Sequence, residues 1–171
     1  DTPDFWRRGK AEYPSHAGRF TAEPAYFKHV VASTKQLLSM VSLKPEEIDY
    51  CVFHTPNANF PRKVAHQLGF TAAQVEPSLV VEQIGNTYSA ASLLALSAVL
   101  DVAKANQTIL LTSYGSGAGA DSFLFKTTPQ LALAHKKWKK KPDFFVPIKQ
   151  KSQEVSLISY TQYRKNMSEH V

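Results

Sequence analysis

"CVFHTPNANFPRKVA", residues 51–65, switches from one structural pattern to another within five positions. Asp49 to His54 is a short, mostly apolar run with a β-branched and an aromatic residue, which predicts a strand. Thr55-Pro56-Asn57 breaks it, because proline restricts itself and disfavours helix in the residue before it. A helix is then expected from about Phe60 to Leu68, stopping at Gly69. A strand followed by a turn and a helix is the unit of a layered α/β fold. It places His54 at the carboxyl end of a strand, where ligands bind in open α/β sheets. A hydrogen-bonded structural histidine is the plainer alternative on position alone.

The rest of the chain extends this pattern. Pro24, with Thr21 or Glu23 as a cap, opens a predicted helix reaching about Val41, with Phe27, Val30, Val31, Leu37, Leu38 and Val41 on one face. Residues 85–106, "GNTYSAASLLALSAVLDVAKAN", read as the longest apolar helix, with Asn86 at or beside its amino end and small residues Ser89–Ser92 for close packing. "QTILLTSYG" reads as a buried strand, "GSGAG" as a tight loop and "ADSFLFKT" as a returning strand. The expected order is αβαβαββ, after an irregular stretch over residues 1–22. The region 129–171 is expected to be helix and coil folded over the body.

At 171 residues and 43% hydrophobic content, the chain suits one domain with a real core. Cys51 is the single cysteine, so neither a disulfide framework nor a thiolate metal cluster is available, and a reducing, cytoplasmic setting fits. No apolar run reaches bilayer length, and no membrane partner is expected. The start at Asp1 without methionine suggests a fragment or a processed product. Residues 1–128 hold 11 Lys+Arg against 11 Asp+Glu, whereas 129–171 hold 9 against 3, so the net charge of +6 lies in the tail. "HKKWKKKP" (135–142) is its densest part. It lacks an RNA-binding signature, and a solvated basic face explains it better than nucleic acid.

Several residues could carry chemistry. The glycines at 115, 117 and 119 are spaced G-x-G-x-G and lead into a strand, which is not the dinucleotide-binding spacing. They suit a loop where backbone approaches a ligand or a neighbouring turn. Asn86 can be an ordinary cap, or it can stand beside amide donors useful to an oxyanion. His54, Asn86 and Ser116 together suggest part of an acyl-transfer site without its nucleophile. Cys51 does not supply one: it is three residues before His54 on the opposite strand face, in the core.

"DTPDFWRR", "GRFTAEPAYFKHV", "DYCVFHTPNANFPRKVA", "IGNTYSAAS" and "SYGSGAGADSF" resemble, in order and spacing, the second half of archaeal-type 3-hydroxy-3-methylglutaryl-CoA synthase, of the thiolase superfamily. The resemblance is close over 1–128 and looser through "ISYTQYRK". It implies half of a thiolase-like αβαβα layered sandwich over 1–128, with 129–171 a basic extension packed on the body. It also implies condensation of acetyl-CoA with acetoacetyl-CoA in the mevalonate (isoprenoid) pathway, the nucleophilic cysteine and the base glutamate residing in an amino-terminal half not present here. His54 matches the histidine that polarises the acetoacetyl group, and Asn86 the asparagine near the substrate carbonyl. Ser116 matches the pocket loop more loosely, and Arg62 and Lys63 fall where relatives meet CoA phosphate. No cofactor or metal is implied beyond the two thioester substrates. The implied partners are the amino-terminal half, further copies of the assembled enzyme, an acetoacetyl-CoA thiolase and a zinc-ribbon/OB-fold bridging protein. Two other readings stay open: a ketoacyl-synthase-III-like acyltransferase, and a non-catalytic thiolase-like scaffold subunit.

Overall fold

The computed structural model describes residues 5–16, 21–115 and 119–139, together with Thr161. Two short strands, β1 (Phe5–Trp6) and β2 (Ser15–His16), pair antiparallel in a stretch the sequence pattern left irregular. Then follow α1 (Phe27–Val41), β3 (Tyr50–Phe53), α2 (Asn59–Leu68), the single turns α3 (Ala72–Val75) and α4 (Val81–Ile84), and α5 (Ala91–Val102). The strands β4 (Thr108–Thr112) and β5 (Ser122–Lys126) and the helix α6 (Pro129–Lys139) complete the described elements.

Strands β3 and β4 run parallel, Cys51 opposite Leu110 and Phe53 opposite Thr112, while β5 returns antiparallel to β4. The sheet order is therefore β3-β4-β5. Alternation sorts the side chains into two cores. Cys51, Phe53 and Leu110 pack with Val30, Val31 and Leu38 of α1 and with Val64 and Leu68 of α2. On the other face, Val52, Ile109 and Leu111 pack with Ala95 and Val99 of α5. Helices thus cover both faces of the sheet, as a parallel pair requires.

Local chemistry sets the boundaries around the decisive stretch. The Asn57 carboxamide oxygen accepts the backbone N–H of Asn59 (3.0 Å) and of Phe60 (3.2 Å), filling two donors that a helix start leaves open. Gly69 ends α2 at φ +85°, and the Phe70 N–H closes on the Ala65 carbonyl at 2.8 Å. At the other end of β3, Asp49 accepts the Thr108 N–H at 2.7 Å, which starts the parallel pairing in register.

Two expectations need correction. The helix opens at Pro24 after an extended Glu23 (φ −116°, ψ 127°), as expected, but its buried face differs: Val41 is exposed and Thr34 takes a buried place on α1. The helix expected over 85–106 is shorter. Gly85 and Tyr88 both have positive φ, a single tight turn spans Tyr88–Ala90, and α5 proper begins at Ala91. Ser89 and Ala90 stay exposed, whereas Ala91 and Ser92 make the close packing expected of the small residues.

Candidate acyl-binding site

His54 emerges one residue beyond β3 and is 9% exposed. Its backbone is held on both sides: its N–H donates to the Thr112 carbonyl at 2.9 Å, and its carbonyl accepts the Tyr26 hydroxyl at 2.6 Å. Tyr114 leaves β4 at the same sheet edge, because β3 and β4 are parallel and aligned. Its ring centroid lies 6.1 Å from that of His54, and the Tyr26 centroid lies 6.5 Å away. His54 opens on a cleft of about 610 Å³ walled by Ser92 of α5, by Ser113 and Tyr114 after β4, and by Asp121 and Phe123 at the start of β5.

Burial holds the His54 imidazole below its ordinary pKa of 6.5, because the protonated ring loses hydration there. At neutral pH it is an uncharged ring with one N–H donor. Such a donor polarises a carbonyl and can shift toward an alkoxide as charge develops. A nucleophile is a different matter. Cys51 is fully buried, and burial drives its thiol far above the ordinary range, so it is no thiolate.

The other sequence candidates separate in space. Asn86 does not wall the cleft and does not cap α5. It is exposed, and its side-chain oxygen accepts the Tyr88 N–H at 2.8 Å, shaping the turn before the helix. Ser116 lies outside the described residues; Gly115 and Gly119, on either side, pair at 2.9 Å and rim the cleft. Arg62 and Lys63 lie on α2, away from the cleft walls. The Arg62 guanidinium grips Glu76 through Nε (2.8 Å) and Nη2 (3.0 Å), and Glu82 through Nη1 (2.8 Å). These bonds raise its pKa further and occupy the donors a phosphate would use. Lys63 is exposed. Among the described residues no three His, Cys, Asp or Glu side chains gather as metal ligands, and no helix is long and apolar enough to cross a membrane.

Sequence reasoning missed Tyr26 and Tyr114. Tyr114 had a legible signal: it follows β4 as His54 follows β3, so parallel strands bring the two together. Tyr26 had none, since its hydroxyl meets His54 across 28 residues of chain.

Residues 38–127, more than half of the chain, match the family described as 3-oxoacyl-[acyl-carrier-protein] synthase III C terminal. The chain belongs to that family. Within this synthase III C-terminal family, it is similar to curated hydroxymethylglutaryl-CoA synthases of archaea. That of Methanopyrus kandleri is 53% identical over 137 residues, covering 80% of this chain and 39% of the relative. That of Archaeoglobus fulgidus is 55% identical over 128 residues, covering 75% and 37%. The chain therefore spans about two fifths of the length of the curated relatives it matches. A solved structure of MvaS in complex with 3-hydroxy-3-methylglutaryl coenzyme A aligns with a TM-score of 0.73 at 22% identity, over 96% of this chain and 47% of that one. The thiolase-like α/β fold expected from the sequence stands on that likeness and on the family match.

Proposed function

We propose that this chain is the carboxyl-terminal portion of a hydroxymethylglutaryl-CoA synthase and supplies the acceptor half of its condensation site. The observation that carries the reading is His54: a buried, uncharged imidazole at a strand end, opening on a cleft, in a chain about half identical to archaeal synthases. In this reading a thioester enolate made from acetyl-CoA attacks the ketone of acetoacetyl-CoA, and the ketone oxygen becomes an alkoxide. The His54 N–H meets that oxygen as charge appears, which lowers the barrier without needing a tighter ground state. The cleft holds no activated nucleophile among the described residues, so the acetyl-carrying cysteine and the base that forms the enolate come from an amino-terminal portion. This reading assigns CoA phosphate to Lys63, which is exposed, rather than to Arg62, which is engaged with Glu76 and Glu82. The lone buried cysteine suits a reducing cytoplasm. The working unit is an assembly with the amino-terminal portion, and oligomers of that unit follow the same reading.

The test joins the chain to an amino-terminal portion and separates two half-reactions. His54→Ala is expected to leave labelled acetyl transfer to the partner cysteine intact while slowing product formation by about 10²-fold or more. Loss of acetyl transfer itself would remove His54 from the acceptor step. The family match also favours a second reading, an oxoacyl-carrier-protein synthase III activity. Turnover with an acyl-carrier-protein thioester but not with a CoA thioester as acceptor would select it.

A further inference from the structure

Past Phe53 the β3–β4 ladder ends, and the His54 carbonyl has no strand partner. Its surroundings exclude water: Thr55 is 1% exposed and Tyr26 is 0% exposed. A carbonyl in that position requires a donor from elsewhere in the fold. Among the described residues the donor that answers is the Tyr26 hydroxyl, at the amino end of α1, 2.6 Å from that carbonyl. Tyr26 is itself wedged by the rings of Phe27 (5.2 Å), Phe60 (5.0 Å) and Tyr114 (5.5 Å). Its hydroxyl therefore has one place to point.

We propose that Tyr26 is a positioning residue for His54: its hydroxyl clamps the strand-end peptide and so aims the imidazole into the cleft. With the Thr112 carbonyl holding the N–H and Tyr26 holding the C=O, both peptide planes around the His54 Cα are fixed. Those planes set the direction of the Cα–Cβ bond, and small errors in aim at a reacting group are costly in rate. Burial keeps the Tyr26 phenol far above its ordinary pKa, so it remains a donor at every working pH. The proposal rests on the reading of His54 as the site imidazole.

The test is Tyr26→Phe in the 171-residue chain, alone and assembled with its amino-terminal portion. Among the described residues, the polar groups around His54 are Tyr26 at the start of α1, Tyr114 and Asp121 from the segments between β4 and β5, and the neutral Ser89 and Ser92 before and on α5. A change in the His54 titration therefore reports its own placement. Tyr26→Phe is expected to move the His54 ring titration, followed by NMR, upward toward 6.5 as the strand end loosens. It is also expected to lower kcat roughly ten- to hundredfold with KM for acetyl-CoA unchanged. Leu38→Ala, a buried core change at the other end of α1 from Tyr26, should lower stability without moving the titration. An unshifted His54 titration in a folded Tyr26→Phe chain overturns the proposal, whatever the activity does. An assembly without synthase activity but with a shifted titration upholds the clamp and refutes only the functional reading. Should Tyr26→Phe not fold, 3-fluorotyrosine at position 26, a stronger donor, should shift the His54 carbonyl ¹³C resonance. No shift there overturns the proposal equally.

Discussion

His54 and Lys63 are the residues at which single-site chemistry can be separated from support. Burial places the folded His54 pKa below 6.5. As pH falls through about 6.5, the unfolded histidine takes up its proton first, while the folded one stays neutral. The unfolded state then binds more protons, so this contribution to stability is present above pH 6.5 and declines toward lower pH. Denaturant unfolding at pH 7.5 and pH 5.5 should show a loss in the native chain that shrinks in His54→Gln. An equal loss in both would assign it to other groups. Lys63 tests the placement of CoA phosphate. Lys63→Ala should raise the apparent KM for a CoA thioester more than neutralising Lys136, Lys137, Lys139, Lys140 and Lys141 together, because charges screened by solvent and salt contribute little individually. A larger effect from the tail at physiological salt would move the phosphate site there.

At the scale of elements, the α2 boundaries decide how the strand end is presented. Asn57 starts the helix with its side-chain oxygen and Gly69 stops it with its left-handed backbone, neither of them through the core. At φ +85° a side chain at position 69 strains the backbone, while an added Cβ would meet only Pro45 Cγ at an ordinary 3.7 Å. Gly69→Ala should therefore cost about 1–2 kcal/mol from backbone conformation alone, read as a lower unfolding midpoint with an unchanged slope. A cost near zero would mean the turn can rearrange. The α1–sheet contact is held differently. A run of hydroxyls, Ser33 to Ser122 (2.8 Å), Ser122 to Thr112 (2.7 Å) and Thr112 to Thr34 (2.8 Å), crosses from helix to strands inside the apolar layer. That run anchors Thr112, whose carbonyl holds His54. Helix–strand patterning was legible from apolar spacing, but this polar seam was not, because serine and threonine carry no periodic signal of their partners.

Over the whole molecule, the sheet face under α5 is only partly covered. Leu93 is 63% exposed, Phe123 49% and Phe125 42%, the two phenylalanine rings stacking at 6.3 Å along β5. A run of exposed apolar side chains along one face marks an interaction surface. Under the function proposed above, the occupant is the amino-terminal portion of the synthase. Phe125→Lys should leave the fold of this chain intact and weaken that assembly at least tenfold, about 1.4 kcal/mol, by titration of one portion with the other. Unchanged affinity would place the contact elsewhere. What the sequence determined by itself was local: the β3–turn–α2 unit, the two faces of β3 with Cys51 inward and His54 toward a crevice, and the glycine stop. These depend on alternation, proline and φ-specific residues within a few positions of one another. The tertiary structure alone decided that Asn86 shapes a turn outside the cleft, that Arg62 is held by Glu76 and Glu82, and that Tyr26 completes the His54 peptide. Each of these depends on which polar atom arrives at hydrogen-bond distance once the elements have packed, or on a positive φ that packing selects.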